Sequence, residues 1–209
     1  MGAAHSNPAL EARGLACSRG VVTLFRDVSF SVMAGEWLAV RGPNGSGKTT
    51  LLRCVAGLTR PDAGEVLWDG AQARGERFRE SLVYAGHLAG IKDDLSAEEN
   101  LLVLLALRGI RADPEAVRAA LAHAGLEKRR HLPARRLSAG QRRRIGLARL
   151  ALERAPLWAL DEPLTALDEE GRHAFEGLLE RHLARGGLAL VATHQEISPA
   201  PAREVRMGA

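Results

Sequence analysis

Short apolar runs separated by glycine- and proline-bearing turns fill the first third of this chain, a helical spacing of leucine and alanine fills its middle, and apolar runs return near the end. Residues 21–32 alternate apolar and polar positions and carry β-branched side chains, which predicts a half-buried strand. Met33-Ala34-Gly35-Glu36 turns the chain, and Trp37-Leu38-Ala39-Val40-Arg41 reads as a buried strand. Residues 49–57 predict a helix, with Leu51, Leu52 and Val55 as its core face and Gly57 as its C-cap. The turn Arg60-Pro61-Asp62-Ala63-Gly64 leads to a short strand at 65–68 and a second turn at Asp69-Gly70. From about residue 98 to 127 the period is helical, with Pro114 at a helix start and Gly109 and Gly125 as stops. Residues 157–160 and 188–192 are runs of the kind buried on both faces of a parallel sheet, and 199–209 leave room for one edge strand at most. The pattern is that of an α/β protein with a helical insert. It contains no repeat, heptad run or disordered linker.

Composition narrows the picture. With 209 residues the chain suits one domain with a subdomain, and with 4% aromatics its core must be filled by Leu, Val and Ala. A net charge of +4 suits nucleotide phosphates, nucleic acid or an anionic membrane face without choosing among them. Cys17 and Cys54 lie far apart without metal or haem-attachment spacing, which predicts a reduced cytosolic chain. Residues 1–8 lack a signal pattern, and the longest apolar stretch, 101–107, is too short to span a bilayer. A role at a membrane would therefore require docking. Arg129-Arg130, Arg135-Arg136 and Arg142-Arg143-Arg144 form a basic cluster, but no aromatics interleave for base stacking, so a solvated face is expected rather than a nucleic-acid partner.

Gly42-Pro43-Asn44-Gly45-Ser46-Gly47-Lys48-Thr49 fits G-x-x-x-x-G-K-[ST] directly after the buried strand, with Thr50 continuing into the helix. Its glycines let successive backbone N–H groups curl round a phosphate where a Cβ would clash, and the following helix points its positive end at the anion. Lys48 is expected to reach the β- and γ-phosphates and Thr49 to sit on Mg²⁺. Only three of the 29 basic residues are lysine, so a compact ammonium at this position is a specific choice. The loop alone leaves kinases, GTPases and many ATPases open. Leu157-Trp158-Ala159-Leu160-Asp161-Glu162-Pro163 is an apolar strand ending in two acids. Asp161 is expected to hold Mg²⁺ through water and Glu162 to polarise the attacking water.

Leu137-Ser138-Ala139-Gly140-Gln141, ahead of a helix, is an ordinary N-cap when read alone. Placed between the other two motifs it resembles the signature of the ATP-binding cassette (ABC) family, whose members grip with it the γ-phosphate bound to the opposite subunit. Thr165-Ala166-Leu167-Asp168 resembles that family's D-loop, in which Asp168 would couple two nucleotide sites, and His194 resembles its switch histidine. The resemblance runs from about residue 10 to 195. It implies a P-loop NTPase fold with a RecA-like core, a small antiparallel β subdomain and a helical subdomain at about 88–148, all within one ABC domain at 8–209. It also implies ATP and Mg²⁺ as cofactors and a homodimer as the working form. Two positions depart from the family pattern. Arg19 stands where an aromatic usually stacks on adenine, and its planar guanidinium can stack instead. His87 stands where the glutamine loop usually ends in Gln, and is expected to take over coupling to a membrane partner.

Within the family, four strings resemble the ATP-binding subunits of haem exporters used in c-type cytochrome maturation. They are Ala34-Gly35-Glu36-Trp37, Arg60-Pro61-Asp62-Ala63-Gly64-Glu65-Val66-Leu67-Trp68, Gly86-His87 followed by Gly90-Ile91-Lys92, and Thr193-His194-Gln195. This implies integral membrane haem-export subunits of the CcmB and CcmC kind as partners, and a peripheral position on the cytoplasmic face of a bacterial inner membrane. Haem itself has no ligand spacing here. A cassette of another small-molecule or lipid exporter, a soluble cassette acting on ribosomes or DNA, and a module that senses ATP without hydrolysing it are the alternatives.

Overall fold

The computed structural model describes residues 9–86 and 90–208. In chain order the elements are β1 (Leu10–Arg19), β2 (Val22–Val32), β3 (Trp37–Arg41), α1 (Lys48–Val55), β4 (Ala63–Trp68), β5 (Ala71–Gln72), α2 (Glu76–Glu80), β6 (Leu82–Ala85), α3 (Ala97–Ala106), α4 (Pro114–His123), α5 (Ala139–Ala148), β7 (Leu157–Asp161), α6 (Glu169–Ala184), β8 (Leu188–Ala192) and β9 (Arg203–Arg206). They divide into two compact units. One holds the described residues up to Tyr84, Ala155–Asp161 and those from His182 onward; the other holds Ala85–Arg154 and Glu162–Arg181.

The first unit contains two sheets. An antiparallel sheet runs β2-β1-β4-β5, and a second runs β6-β7-β8-β3-β9, in which β7, β8, β3 and β9 are parallel. Every residue of β7 and β8 is buried, as continuous apolar runs require in a sheet covered on both faces. The tail supplies β9 as an edge strand beside β3. Helix α1 lays Leu51, Leu52 and Val55 into the core formed with Leu38, Val40, Leu157 and Leu190. Burial of each such leucine is worth roughly 1.5–3 kcal/mol. Because β3, β8 and β7 are neighbours and parallel, the loops leaving their carboxyl ends emerge side by side, the usual ligand position in an open α/β sheet.

Two features of this core go beyond the sequence pattern. Cys17 on β1 and Cys54 on α1 are both buried free thiols, and burial, followed by the neighbouring Cys17, pushes the Cys54 thiol up to about 12. His182 stacks on Trp158 with centroids 3.6 Å apart and planes 10° from parallel, and its Nε2 lies 3.2 Å from the Leu188 carbonyl. A carbonyl only accepts, so that nitrogen carries the proton. Gly187 is required beside it, since a Cβ there would come within 2.3 Å of the ring.

Burial holds His182 below the ordinary histidine value of 6.5. The folded chain thus refuses a proton that the unfolded chain accepts. The ring's contribution to stability is complete above pH 6.5 and declines as pH falls below it, at up to about 1.4 kcal/mol per pH unit. Urea midpoints measured at pH 7.5 and 5.5 are expected to fall further for the wild type than for His182→Gln, which keeps an N–H donor but cannot titrate. Equal falls in both proteins would refute this assignment.

In the second unit α3, α4 and α5 enclose Leu101, Leu105, Val117, Leu121, Leu126 and Ile145. Helix α3 opens with a capping box in which Ser96 and Glu99 satisfy each other's backbone N–H, and α4 opens with Asp113 as cap and Pro114 in the first turn. Glu153 is buried between Arg108 and Arg149, at 3.2 and 3.5 Å, and burial pushes its carboxyl upward. The basic cluster is not one solvated face. Arg130, Arg135 and Arg142 pair with Glu98, Asp94 and Asp93, while Arg143 and Arg144 are buried. Among the described residues no helix is long and apolar enough to cross a membrane.

Candidate functional site

The phosphate loop leaves β3 and enters α1 through three glycines with positive φ, at 149° for Gly42, 83° for Gly45 and 93° for Gly47. At Gly42 a Cβ would lie 2.5 Å from the Met207 carbonyl and 2.8 Å from Ser46 Oγ, so close approach as well as backbone conformation demands glycine. A Cβ added at Gly208, next to Met207, would lie 3.1 Å from the Ser46 Cβ and 3.5 Å from the Pro43 ring. Pro43, Asn44 and Gly45 are exposed, and Thr50 is half-buried in α1. Helix α1 begins at Gly47 with no side-chain cap and no acid in its first turn, leaving its positive end to an anion. Ser46 is buried with its hydroxyl unpartnered. An uncapped helix end and an orphaned hydroxyl in one glycine-rich loop fit a phosphate group.

Lys48 is buried, and its ammonium reaches the carbonyls of Gly42 (2.7 Å) and Pro43 (3.1 Å) and the Nε2 of His194 (3.0 Å). Three protons meet three acceptors, and an ammonium can only donate, so His194 accepts on Nε2. His194 itself is exposed, in the loop leaving β8, where Thr193 Oγ1 accepts from the Gln195 N–H at 3.0 Å. Thr49 Oγ1 donates to Asp161 Oδ2 at 2.8 Å, and Asp161, at the end of β7, is buried. A hydroxyl beside a buried carboxylate is the hard oxygen pair that suits Mg²⁺. The first unit therefore gathers Lys48, Thr49, Asp161 and His194 although they are separated by up to 146 residues in sequence. Arg19 is exposed at the end of β1, paired in the ladder with Val22.

The second unit carries the other motifs. Ser138 caps α5: its Oγ accepts from the Gln141 N–H at 3.2 Å, while Gln141 Oε1 accepts from the Ser138 N–H at 3.1 Å. The hydroxyl accepts in that box, so its own proton is left to donate to a phosphate oxygen. Ala139 starts the helix, and Gly140 must be glycine because a Cβ would lie 2.3 Å from the Ala166 carbonyl. Asp168 accepts from the Gly171 N–H at 3.0 Å at the start of α6 and pairs with Arg144, which also holds Glu170. The Gly171 N–H first, and Arg144 second, hold the Asp168 carboxyl below its ordinary range. Glu162 follows Asp161 with φ 49°, a left-handed backbone rarely adopted by residues with a Cβ. His87 lies outside the described residues.

Sequence reasoning missed Arg143. It is 8% exposed, and its guanidinium donates to the carbonyls of Gly86 (2.8 Å) and Glu162 (3.0 Å), with Pro163 O at 3.5 Å. Three consecutive arginines give no signal of which one turns inward.

A phosphate-binding loop and a strand ending in Asp161 on the parallel sheet of one unit, with a capped Ser-Ala-Gly-Gln helix in the other, define an ABC-type ATPase. The profile of the ABC transporter family matches residues 25–165, and the chain belongs to that family. Within it the chain groups with the cytochrome c biogenesis export proteins. The Cytochrome c biogenesis ATP-binding export protein CcmA of Nitrosomonas europaea is 52% identical over 190 residues, covering 90% of this chain and 89% of its own length. The Cytochrome c biogenesis ATP-binding export protein CcmA 1 of Cupriavidus metallidurans is 48% identical over 206 residues, covering 98% and 100%. In fold the chain is similar to a dimeric ATP-binding cassette in a post-hydrolysis state bound to ADP and Pi, with a TM-score of 0.81, 24% identity, and coverage of 95% of this chain and 94% of that one.

Proposed function

We propose that this chain is the ATP-hydrolysing subunit of a haem export complex serving c-type cytochrome biogenesis. It works as a homodimer beneath integral membrane subunits on the cytoplasmic face of the inner membrane. The observation that carries the ATPase reading is the convergence of Lys48, Thr49, Asp161 and His194 at the carboxyl ends of three adjacent parallel strands. Similarity to CcmA proteins across almost the whole chain supports the pathway.

In this reading the uncapped amides of α1 and the loop glycines hold the β-phosphate, and Lys48 exchanges loop carbonyls for β- and γ-phosphate oxygens. Arg19 faces the base. Thr49 and Asp161 hold Mg²⁺, which supplies neutralising charge to the phosphates when bound. Glu162 polarises the attacking water, and His194 senses the γ-phosphate from the next strand. Ser138, Ala139, Gly140 and Gln141 present a hydroxyl and a helix amide end to the nucleotide of the partner subunit, with Asp168 linking the two sites. His87 carries the signal to the membrane subunits.

The pathway is tested by deleting the gene in its host, restoring it, and staining membrane and periplasmic proteins for covalently bound haem. Loss of stained c-type cytochromes, regained with the wild-type gene, is the expected result. Normal staining in a deletion strain without a second copy would remove the pathway and favour export of another small molecule or a lipid.

A further inference from the structure

We propose that Arg143 is a positioning residue for ATP hydrolysis, fixing the Glu162 carboxylate by holding the peptide that follows it. This rests on the reading of Glu162 as the group that polarises water. The Glu162 backbone is left-handed, with φ 49°, a conformation that costs energy in any residue bearing a Cβ and persists only where surroundings enforce it. The direction of its Cα–Cβ bond, and so of its carboxylate, depends on φ and on the orientation of the peptide joining it to Pro163. Proline has no N–H, so the Glu162 carbonyl is the only hydrogen-bonding handle on that peptide. Arg143 Nη2 donates to this carbonyl at 3.0 Å, beside the Thr165 N–H at 3.2 Å, and its Nε lies 3.5 Å from the next carbonyl, that of Pro163. Nη1 is anchored on the Gly86 carbonyl at 2.8 Å, which stops the guanidinium from swinging away.

The chemistry of the donor matters. A planar fork spans three carbonyls from one side chain, whereas a lysine ammonium on its flexible stem does not reproduce that geometry. Arg143 is only 8% exposed, so these bonds form where water does not compete freely. Neighbouring Arg144 bonds Asp168, Glu170 and the Ala124 carbonyl instead, and Arg142 pairs with Asp93. Of the three consecutive arginines, Arg143 is the one bonded to the carbonyl of the hydrolytic acid.

The test uses the full chain assembled with its membrane complex and compares Arg143→Met, Arg143→Lys and Glu162→Gln. Steady-state ATPase, equilibrium binding of trinitrophenyl-ATP and thermal denaturation are measured for each. Arg143→Met is expected to lower kcat roughly 10- to 100-fold, the scale of a small misplacement of a reacting group. KM and analogue affinity stay within about twofold, because nothing that binds nucleotide has been removed. Arg143→Lys falls between Met and wild type. A kcat for Arg143→Met within twofold of wild type overturns the inference, as does a loss of affinity in step with kcat, which marks a merely structural role. Should Arg143→Met fail to fold, a wild-type kcat for Arg143→Lys overturns it. Wild-type hydrolysis by Glu162→Gln would remove the reading of Glu162 and this inference with it. An inactive Glu162→Gln beside an active Arg143→Met would remove the inference alone.

Discussion

Glu162→Gln is expected to lower kcat about 100- to 1,000-fold while leaving Mg-ATP affinity unchanged. The substitution keeps the size of the side chain at a residue whose backbone is left-handed, φ 49°, and removes only the charge that is proposed to draw the proton of the attacking water. Phosphoryl transfer depends chiefly on positioning and charge stabilisation, so the loss belongs in kcat and not in binding. Steady-state ATPase with parallel equilibrium binding checks both halves. Turnover within threefold of wild type would transfer the role to another group, with His194 the next to replace.

The second large effect is at Lys48. Lys48→Ala is expected to weaken Mg-ATP binding by about 100-fold or more, since it removes charge-assisted bonds worth roughly 1.5–3 kcal/mol each. The ammonium is buried and poised by two loop carbonyls and His194, so its removal takes a placed cationic donor out of the loop. Lys48→Arg is expected to fail as well, because a planar fork does not fit a pocket shaped for a compact charge. Isothermal titration with Mg-ATP reads both variants. Unchanged affinity in Lys48→Ala would mean that the loop amides alone bind the phosphates. Together the two substitutions separate binding from turnover: one protein holds nucleotide without splitting it, the other does not hold it.

The parts of this molecule that follow a simple period were legible in its sequence. The runs at β3, β7 and β8 are apolar at nearly every position because their sheet is covered on both faces, and the helical insert carried its own caps and stops at Pro114, Gly109 and Gly125. Strand β1 was not read, because register shifts between Ala12 and Leu15, Leu15 and Cys17, and Cys17 and Ser18 break the alternation that marks a strand. Helix α6 was missed although Phe175, Leu178, Leu179, His182 and Leu183 follow the spacing of a helix face, because the rest of its 16 residues are rich in charge. Residue types and spacing named Lys48, Thr49, Asp161 and Glu162, and the resemblance to the ABC family named His194. Spacing could not tell that Gly140 yields to the Ala166 carbonyl, or that the Arg142-Arg143-Arg144 run sends its members to three different environments. Those choices are made by packing between segments distant in sequence.

A Cβ added at Gly42 would meet Met207, and one added at Gly208 would meet Ser46 and Pro43, so the phosphate loop is packed closely against the segment that follows β9. A bulkier residue in place of Gly208 would press its side chain on Ser46 and Pro43, so a change outside the motif would reach the loop.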